Sequence, residues 1–169
     1  CFHYCISLVS LEIPEKVTKI GSSSFCQCKS LESILMHDGV QVISDNAFDN
    51  DISLKSLCIP NSTFSIGKSL CYNCQHLTIV TLPANITIIP ESSFNKCEKL
   101  VSITIPEKVT TVEKSSFQNC QSLISVEFNE KVNSIESYAF SYCSSLESLI
   151  IPESVTVISE GCFCFCTEL

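Results

Sequence analysis

The sequence predicts a solenoid, a single domain over residues 1–169 that winds through seven successive turns of 23 residues. One phrase is repeated: IPEKVTKI at 13–20 returns as IPEKVTTV at 105–112 and as IPESVTVI at 151–158, always at multiples of 23. A leucine recurs with the same period and without insertion or deletion, at Leu8, Leu31, Leu54, Leu77, Leu100, Leu123, Leu146 and Leu169. A strand pattern and a corner pattern share this period, so each turn is predicted to stack on the next.

Each turn begins with the pattern L-x-x-I-x-I, as in residues 100–105. Its final alternation of apolar and other residues predicts a short strand with one buried face. A proline then ends the strand pairing, at Pro14, Pro60, Pro83, Pro106 and Pro152. The following pattern V-x-x-I, as at Val17 and Ile20, predicts a second and shorter strand on the return. Like strands of successive turns are expected to lie parallel, about 4.8 Å apart.

The corner of each turn carries the pattern F-x-x-C-x-x-L, and its spacing of three predicts one tight helical or 3₁₀ turn. One such turn cannot bury its apolar face alone, so it must pack on its neighbours. The phenylalanine column consists of Phe2, Phe25, Phe48, Phe94, Phe117, Phe140 and Phe163. The cysteine column consists of Cys5, Cys28, Cys74, Cys97, Cys120, Cys143 and Cys166.

One segment, residues 51–71, departs from these columns. Asp51 takes the place of the cysteine, Thr63 that of a valine, and Cys71 that of the phenylalanine. A thiol in place of a ring predicts a space that costs on the order of a few kcal/mol, unless Leu70 or Phe64 moves into it. We therefore expect the earliest local opening of the solenoid in this segment.

The combined motif L-x-x-I-x-I-P…V-x-x-I…F-x-x-C-x-x-L resembles the BspA-like leucine-rich repeats, which are 23-residue repeats of surface proteins from bacteria and parasitic protists. The resemblance covers the whole chain in seven tandem matches. It implies a right-handed leucine-rich-repeat solenoid with a parallel sheet on its concave face. It also implies a surface antigen or an adhesion module for host or matrix proteins, at the cell surface or secreted.

The charge balance argues against two classes of partner. The chain has ten lysines, no arginine and eighteen acidic residues, for a net charge of −8. Nucleic-acid binding requires clustered basic side chains that neutralise phosphates, and anionic membrane surfaces select the same feature. No apolar run approaches the roughly 18 residues that span a bilayer. We expect neither nucleic-acid binding nor membrane insertion by this segment.

The thirteen cysteines admit three interpretations. Seven of them fill one interior column, which favours free thiols that pack as small apolar side chains. Disulfides within the column would strain the stack, and a zinc site lacks a fourth ligand beside Cys71, Cys74 and Cys97. We expect no metal or other cofactor. The two off-column thiols Cys26 and Cys164 are predicted to be exposed and to react first.

Catalytic patterns are missing from the sequence. The three histidines, His3, His37 and His76, occupy different columns and are expected to face different directions. There is no nucleophile elbow, phosphate loop or zinc-protease motif. A polysaccharide-active enzyme of the parallel β-helix type is the remaining enzymatic alternative, and it would require long irregular loops. The sequence predicts a protein that is not an enzyme.

A repeat scaffold without a pocket functions through its surface. On each predicted strand, the two residues that flank the inward one point outward. We predict a protein-binding surface on this concave face, centred on Leu35, Cys58, Ile79 and Thr81, where apolar side chains interrupt a row of serines. Its residues are Ser33, Leu35, Ser56, Cys58, Ile79, Thr81, Ser102, Thr104, Ser125 and Glu127. The alternative is that serine is merely tolerated on an exposed strand.

The expected partner is a protein, and a host or extracellular-matrix protein if the resemblance extends to function. An intracellular repeat scaffold is the alternative, because free thiols suit a reducing compartment. Neither end of the sequence carries a polar capping turn. The chain is therefore expected to be a fragment of a longer repeat array, or to associate end to end with another copy.

Overall fold

The computed structural model describes residues 2–169 and contains a solenoid of parallel β-strands, with no helix in that range. The predicted fold class is confirmed. Six long strands have three residues each: β1 (Ser10–Glu12), β3 (Ser33–Leu35), β5 (Ser56–Cys58), β7 (Ile79–Thr81), β9 (Ser102–Thr104) and β11 (Ser125–Glu127). Seven short strands have two residues each: β2 (Lys19–Ile20), β4 (Val42–Ile43), β6 (Ser65–Ile66), β8 (Ile88–Ile89), β10 (Thr111–Val112), β12 (Ser134–Ile135) and β13 (Val157–Ile158).

Strand register places like residues over like. In each parallel pair the partners are 23 residues apart, as for Leu57 opposite Val80 and Ile103 opposite Val126. The long strands pair as β1–β3, β5–β7 and β9–β11, and the short strands form the sheets β2–β4–β6 and β8–β10–β12–β13. The leucine column lies inside the solenoid from Leu31 to Leu146, where Leu54, Leu77, Leu100 and Leu123 have no exposed surface, and only its two ends are less covered, with Leu169 53% exposed. The core is therefore a set of stacked columns, as the period of 23 predicts.

The corner differs in detail from the predicted helical or 3₁₀ turn. It has the i to i+3 hydrogen bonds of a 3₁₀ turn, such as Leu31 N to Cys28 O at 2.8 Å. Intervening residues have left-handed backbone conformations, however, as Gln27 does with φ of 62°. Their N–H groups point along the solenoid axis, so Gln27 N donates to Asp49 O in the next turn at 2.8 Å. The chain satisfies its corner N–H groups between turns, and for that reason no helix forms.

Phenylalanine rings stack at the corner in two groups. Ring centroids in consecutive turns are 5.4 Å apart for Phe2 and Phe25 and 5.2 Å apart for Phe117 and Phe140, with nearly parallel planes. Such offset stacking adds to the apolar burial of the rings. The first group ends at Phe48 and the second begins at Phe94, because Cys71 occupies the position between them.

Leu70 has no exposed surface, and we infer that its side chain fills the space that Cys71 leaves beside it. The residue before the phenylalanine column is small in most other turns: Ser24, Ala47, Ser93, Ser116, Ala139 and Cys162. Large and small side chains have therefore exchanged places at 70 and 71. Phe64 is not involved, because its side chain is 55% exposed. Thr63 is buried and donates its hydroxyl to Val40 O at 2.7 Å, which satisfies the polar group that replaces a valine.

The turns at the carboxyl-terminal end of the described range are less regular. The repeat predicts a seventh long strand at residues 148–150, but no strand forms there. Within the described range this segment has a neighbouring turn on one side only, and Ile150 is 87% exposed. The return strand β13 does pair with β12, so the seventh turn is still stacked on the sixth.

Candidate functional site

The ten residues of the predicted surface all lie on one face of the long strands, which we call the long-strand face. Strands β3, β5, β7, β9 and β11 share the pattern exposed, buried, exposed, and these ten residues are their exposed positions. Ser56 lies opposite Ile79 and Cys58 lies opposite Thr81 in the register of β5 with β7. All ten are exposed, as the alternation within the strands predicts, and their role in protein binding stays a prediction.

The centre of the long-strand face is apolar. Leu35 is 53% exposed and Ile79 is 63% exposed, and Cys58 is exposed between them. The residues just before β3 and β5 are joined by the hydrogen bond from Lys55 N to Glu32 O at 3.1 Å, so Leu35 and Cys58 lie on adjacent turns. We call Leu35, Cys58 and Ile79 the apolar patch. Large apolar side chains that remain in water on a rigid sheet are typical of protein contact surfaces.

Two hollows open on the long-strand face, and the first of them adjoins this patch at Ile79. The first has a volume of about 530 Å³, and its lining includes Ile79, Thr81, Ser102, Thr104 and Glu107. The second has a volume of about 320 Å³ and is lined by Ser125, Val126, Glu127, Phe128, Glu130, Ser148, Ile150 and Pro152. The two adjoin, because Ser102 and Thr104 of the first lie opposite Ser125 and Glu127 of the second in the register of β9 with β11.

The charged groups in the lining of these hollows are all carboxylates, those of Glu107, Glu127 and Glu130. Glu127 accepts a hydrogen bond from the Thr104 hydroxyl across the two strands at 3.1 Å. At the opposite end of the long-strand face, His37 Nε2 lies 2.8 Å from Glu12 Oε1. The face is therefore apolar at its centre and acidic toward both ends.

The histidines do not form a catalytic group. His3 contacts Ser23 O, His37 contacts Glu12, and His76 contacts Ile52 O, each on a separate part of the surface. Among residues 2–169 no three His, Cys, Asp or Glu side chains are grouped as metal ligands would be. In the same range there is no helix with the length and apolar character needed to cross a bilayer.

The cysteine column forms a ladder of thiol hydrogen bonds. In six turns the thiol lies 3.0 to 3.3 Å from a main-chain carbonyl of the preceding turn, 26 residues earlier. The donor and acceptor pairs are Cys28 and Phe2, Cys74 and Phe48, Cys97 and Cys71, Cys120 and Phe94, Cys143 and Phe117, and Cys166 and Phe140. The twelve cysteines of the described range are free thiols. Sequence reasoning identified the column but not this role, for which the weak S–H donor of cysteine is required.

Asp51 occupies the position between Cys28 and Cys74 in this column, where the ladder lacks a thiol, and it is fully buried. Its Oδ1 accepts a hydrogen bond from Cys28 N at 2.8 Å, whereas its buried Oδ2 has no partner. Burial raises the pKa of this carboxyl to about 8; the Cys28 N–H opposes the rise and the charge of Asp49 adds to it. In the other turns the thiol donates to the carbonyl 26 residues earlier, and for residue 51 that carbonyl belongs to Phe25. A protonated Oδ2 can donate to that carbonyl as the thiols do, and an ionised one cannot.

The two off-column cysteines prove to be different. Cys164 is exposed, as predicted. Cys26 is not: it is 5% exposed, and its thiol lies 3.5 Å from Asp49 Oδ2 in the turn that covers it. Burial, together with the charge and hydrogen bond of Asp49, raises the pKa of the Cys26 thiol to about 12. The prediction for Cys26 was wrong because the next turn covers this position.

We expect brief alkylation of the native protein with N-ethylmaleimide to modify Cys58 and Cys164 first, because both are exposed. Cys26 is expected to react more slowly by at least tenfold, since both access and thiolate formation are suppressed there. Peptide mapping by mass spectrometry after timed quenching measures each rate, with unfolded protein as the control for intrinsic reactivity. Labelling of Cys26 together with Cys58 would contradict the buried assignment.

Comparison with known proteins identifies the repeat. A family model described as "BspA type Leucine rich repeat region" matches in six copies, over residues 1–124 and 87–169. A leucine-rich repeat protein from Eubacterium ventriosum is similar in structure, with 28% identity, a TM-score of 0.87, and coverage of 93% of this chain and 42% of that one. The Leucine Rich Repeat protein of T. pallidum shows 28% identity and a TM-score of 0.79, covering 86% of this chain and 68% of that one.

A third structure, a leucine rich cell surface protein from Faecalibacterium prausnitzii, supports the fold alone. Its identity is 22% and its TM-score is 0.53, with coverage of 86% of this chain and 60% of that one. No curated protein sequence matches the chain at a significant level. The chain spans 42% of the length of the Eubacterium protein.

Proposed function

Since the chain belongs to the BspA-type leucine-rich repeat family, we propose that it is a cell-surface adhesion module that binds a host or extracellular-matrix protein through its long-strand face. Leucine-rich repeats are in general protein-interaction scaffolds and not catalysts, so a protein-binding role is the more general part of this proposal. The cell-surface location and the host or matrix partner are the more specific part. They are suggested by the resemblance of the repeat to the BspA-like repeats of surface proteins.

The observation that carries the proposal is the apolar patch. Leu35 and Ile79 are more than half exposed at the centre of a face that is otherwise mostly serine, threonine and glutamate. Keeping two branched aliphatic side chains in water costs roughly 25 cal/mol for each Å² of apolar surface, which a bound partner recovers. The buried residues beneath them, Ile34 and Val80, belong to the core and hold the strands rigid. Rigid apolar anchors favour binding because little entropy is lost on association.

Substituting Ile79→Lys or Leu35→Lys is expected to weaken binding at least tenfold, because each places a charge at the centre of the contact. Binding is measured by biolayer interferometry against a panel of immobilised matrix proteins, including fibronectin, laminin and collagen. The matched control is Phe64→Lys, since Phe64 is 55% exposed but lies on the return side of the turn. Equal loss in the control, or no loss in either patch variant, would move the site away from the long-strand face.

An intracellular repeat scaffold is the second candidate, and one observation favours it. All twelve described cysteines are free thiols, and so many free thiols in one small domain suit a reducing compartment. Binding of antibodies against this chain to intact, unpermeabilised cells distinguishes the two. Surface staining supports the adhesion module, and staining only after permeabilisation supports the scaffold.

A further inference from the structure

We propose that the two hollows of the long-strand face bind an extended, basic segment of the partner protein, anchored by two apolar side chains. This inference rests on the proposed function, because it names the chemistry of the partner at the same face. It uses residues beyond the apolar patch, namely Glu107, Glu127, Glu130 and Ile150.

The charge of the hollows selects a basic partner. Three carboxylates line them and no lysine does. Lys131 borders a further hollow together with Glu107 and Glu130, and one lysine among these carboxylates leaves the charge balance negative. Lys108 is engaged elsewhere, since its Nζ donates to Asn85 Oδ1 at 2.7 Å. Like charges juxtaposed across a contact oppose binding, so an acidic segment is rejected and a lysine- or arginine-rich one is attracted.

The apolar anchors set the spacing of the partner's apolar residues. Ile79 lines the first hollow and is 63% exposed, and Ile150 lines the second and is 87% exposed. The counterpart of Ile79 three turns further on is Ser148, so Ile150 lies roughly 14 Å along the axis and about 7 Å across, or about 16 Å away, at about 4.8 Å per turn and about 3.3 Å per residue. Two apolar side chains four or five residues apart on an extended chain span about this distance.

The surface between the anchors admits a main chain. Ser102 and Ser125 are small, exposed and opposite each other on β9 and β11. Their hydroxyl groups can hydrogen-bond to a peptide backbone without sequence preference. Aromatic platforms of the kind that stack on nucleic-acid bases are missing from the lining, where Phe128 is the one aromatic residue of the two hollows. The geometry therefore favours a peptide segment.

The test uses a fluorescein-labelled 12-residue peptide with two leucines four residues apart and lysines at the intervening and flanking positions, measured by fluorescence anisotropy. The control peptide has glutamate in place of every lysine. We expect the lysine peptide to bind at least tenfold more tightly than the control, and its affinity to fall as NaCl rises from 50 to 500 mM. Equal binding of the two peptides would overturn the proposal.

Two protein variants test the named groups. Glu127→Lys and Glu130→Lys are each expected to reduce affinity for the lysine peptide at least fivefold and to flatten its salt dependence. Glu98→Lys is the matched control, because Glu98 lies at the corner and lines neither hollow. An equal loss in Glu98→Lys would mean that overall charge acts and not the hollows, and would also overturn the proposal.

The peptide result separates this inference from the proposed function. If neither peptide binds while matrix-protein binding is still lost in Ile79→Lys, the basic segment is wrong and the adhesion module stands. If matrix-protein binding is also insensitive to Ile79→Lys, both fail.

Discussion

Replacing Asp51 with asparagine is expected to remove a pH dependence from the stability of the solenoid and to stabilise it above neutral pH. Asparagine has both a donor and an acceptor at every pH, so it can accept from Cys28 N and donate to the Phe25 carbonyl as a protonated Asp51 would. The native carboxyl does so only while it carries its proton. The effect is large because Asp51 is fully buried.

The direction of the pH effect follows from the raised pKa. The pKa of Asp51 is about 8 in the folded protein, against an ordinary value of 3.8. Between these values the folded state binds a proton that the unfolded state has lost. The contribution of this group is therefore complete below about pH 4 and is lost as the pH rises toward 8, at about 1.4 kcal/mol per pH unit. At higher pH an ionised carboxylate remains in the core.

Urea denaturation at pH 5, 6, 7 and 8 measures this slope, and hydrogen exchange locates where the chain opens. Asp51→Asn is expected to have a shallower slope than the native protein by about 1 kcal/mol per pH unit, and slower exchange in residues 51–71 at pH 8. Asp51→Cys restores the thiol ladder and is expected to show the same shallow dependence of stability on pH as Asp51→Asn. Asp49→Asn is the control: it removes the minor contribution of a neighbouring charge to the raised pKa of Asp51 but leaves Asp51 buried, so most of the native slope should remain. Parallel slopes for the native protein and Asp51→Asn would show that Asp51 titrates normally.

Truncating Leu70 to alanine is expected to cost about 2 to 5 kcal/mol in the free energy of unfolding, because Leu70 fills the space that a ring occupies in other turns. Phe64→Ala is the control on an exposed side chain and should cost less than 1 kcal/mol. Denaturation midpoints in urea, with the slope of the transition, give both values.

The exchange of sizes at 70 and 71 predicts a specific double-mutant result. Cys71→Phe alone should destabilise by about 1 to 3 kcal/mol, because the ring meets Leu70 in a filled core. Combined with Leu70→Ala, the same ring should be stabilising, since it joins the Phe48 and Phe94 stacks and restores the pattern of the other turns. The coupling energy is therefore expected to be favourable and larger than 1 kcal/mol. Additive effects would mean that the two residues do not share one space.

The period of 23 was enough to predict the solenoid, its parallel strands and nearly all of its core. Leu77 and Leu100 are buried because residues one period apart are forced into the same position of successive turns. The outward residues of the long strands followed from the alternation within each strand. For the space beside Cys71 the sequence left two candidates, Leu70 and Phe64, and the burial of Leu70 together with the exposure of Phe64 decides between them.

The errors fell where the neighbouring turn decides. Cys26 and Cys164 share a column, yet Cys26 is covered by the turn that carries Asp49 and Cys164 has no such cover in the described range. A spacing of three at the corner is compatible with a helix. Residues with a left-handed backbone, such as Gln27, prevent it, and because they are not glycines the sequence does not indicate their conformation. The hollows with Glu107 and Glu130 were also missed, because these residues follow the strands and belong to no apolar column.

The sequence by itself determined which apolar columns are inside, because repetition at a fixed period places the same kind of side chain at the same position of every stacked turn. Only the tertiary structure decided what the buried polar groups do and which exposed ones converge. The thiol ladder, the unpaired oxygen of Asp51 and the carboxylates of the two hollows all depend on contacts between residues 20 or more apart in the chain. Those contacts are set by how one turn lies on the next, at a precision of tenths of an ångström that hydrogen bonding requires and periodicity does not specify.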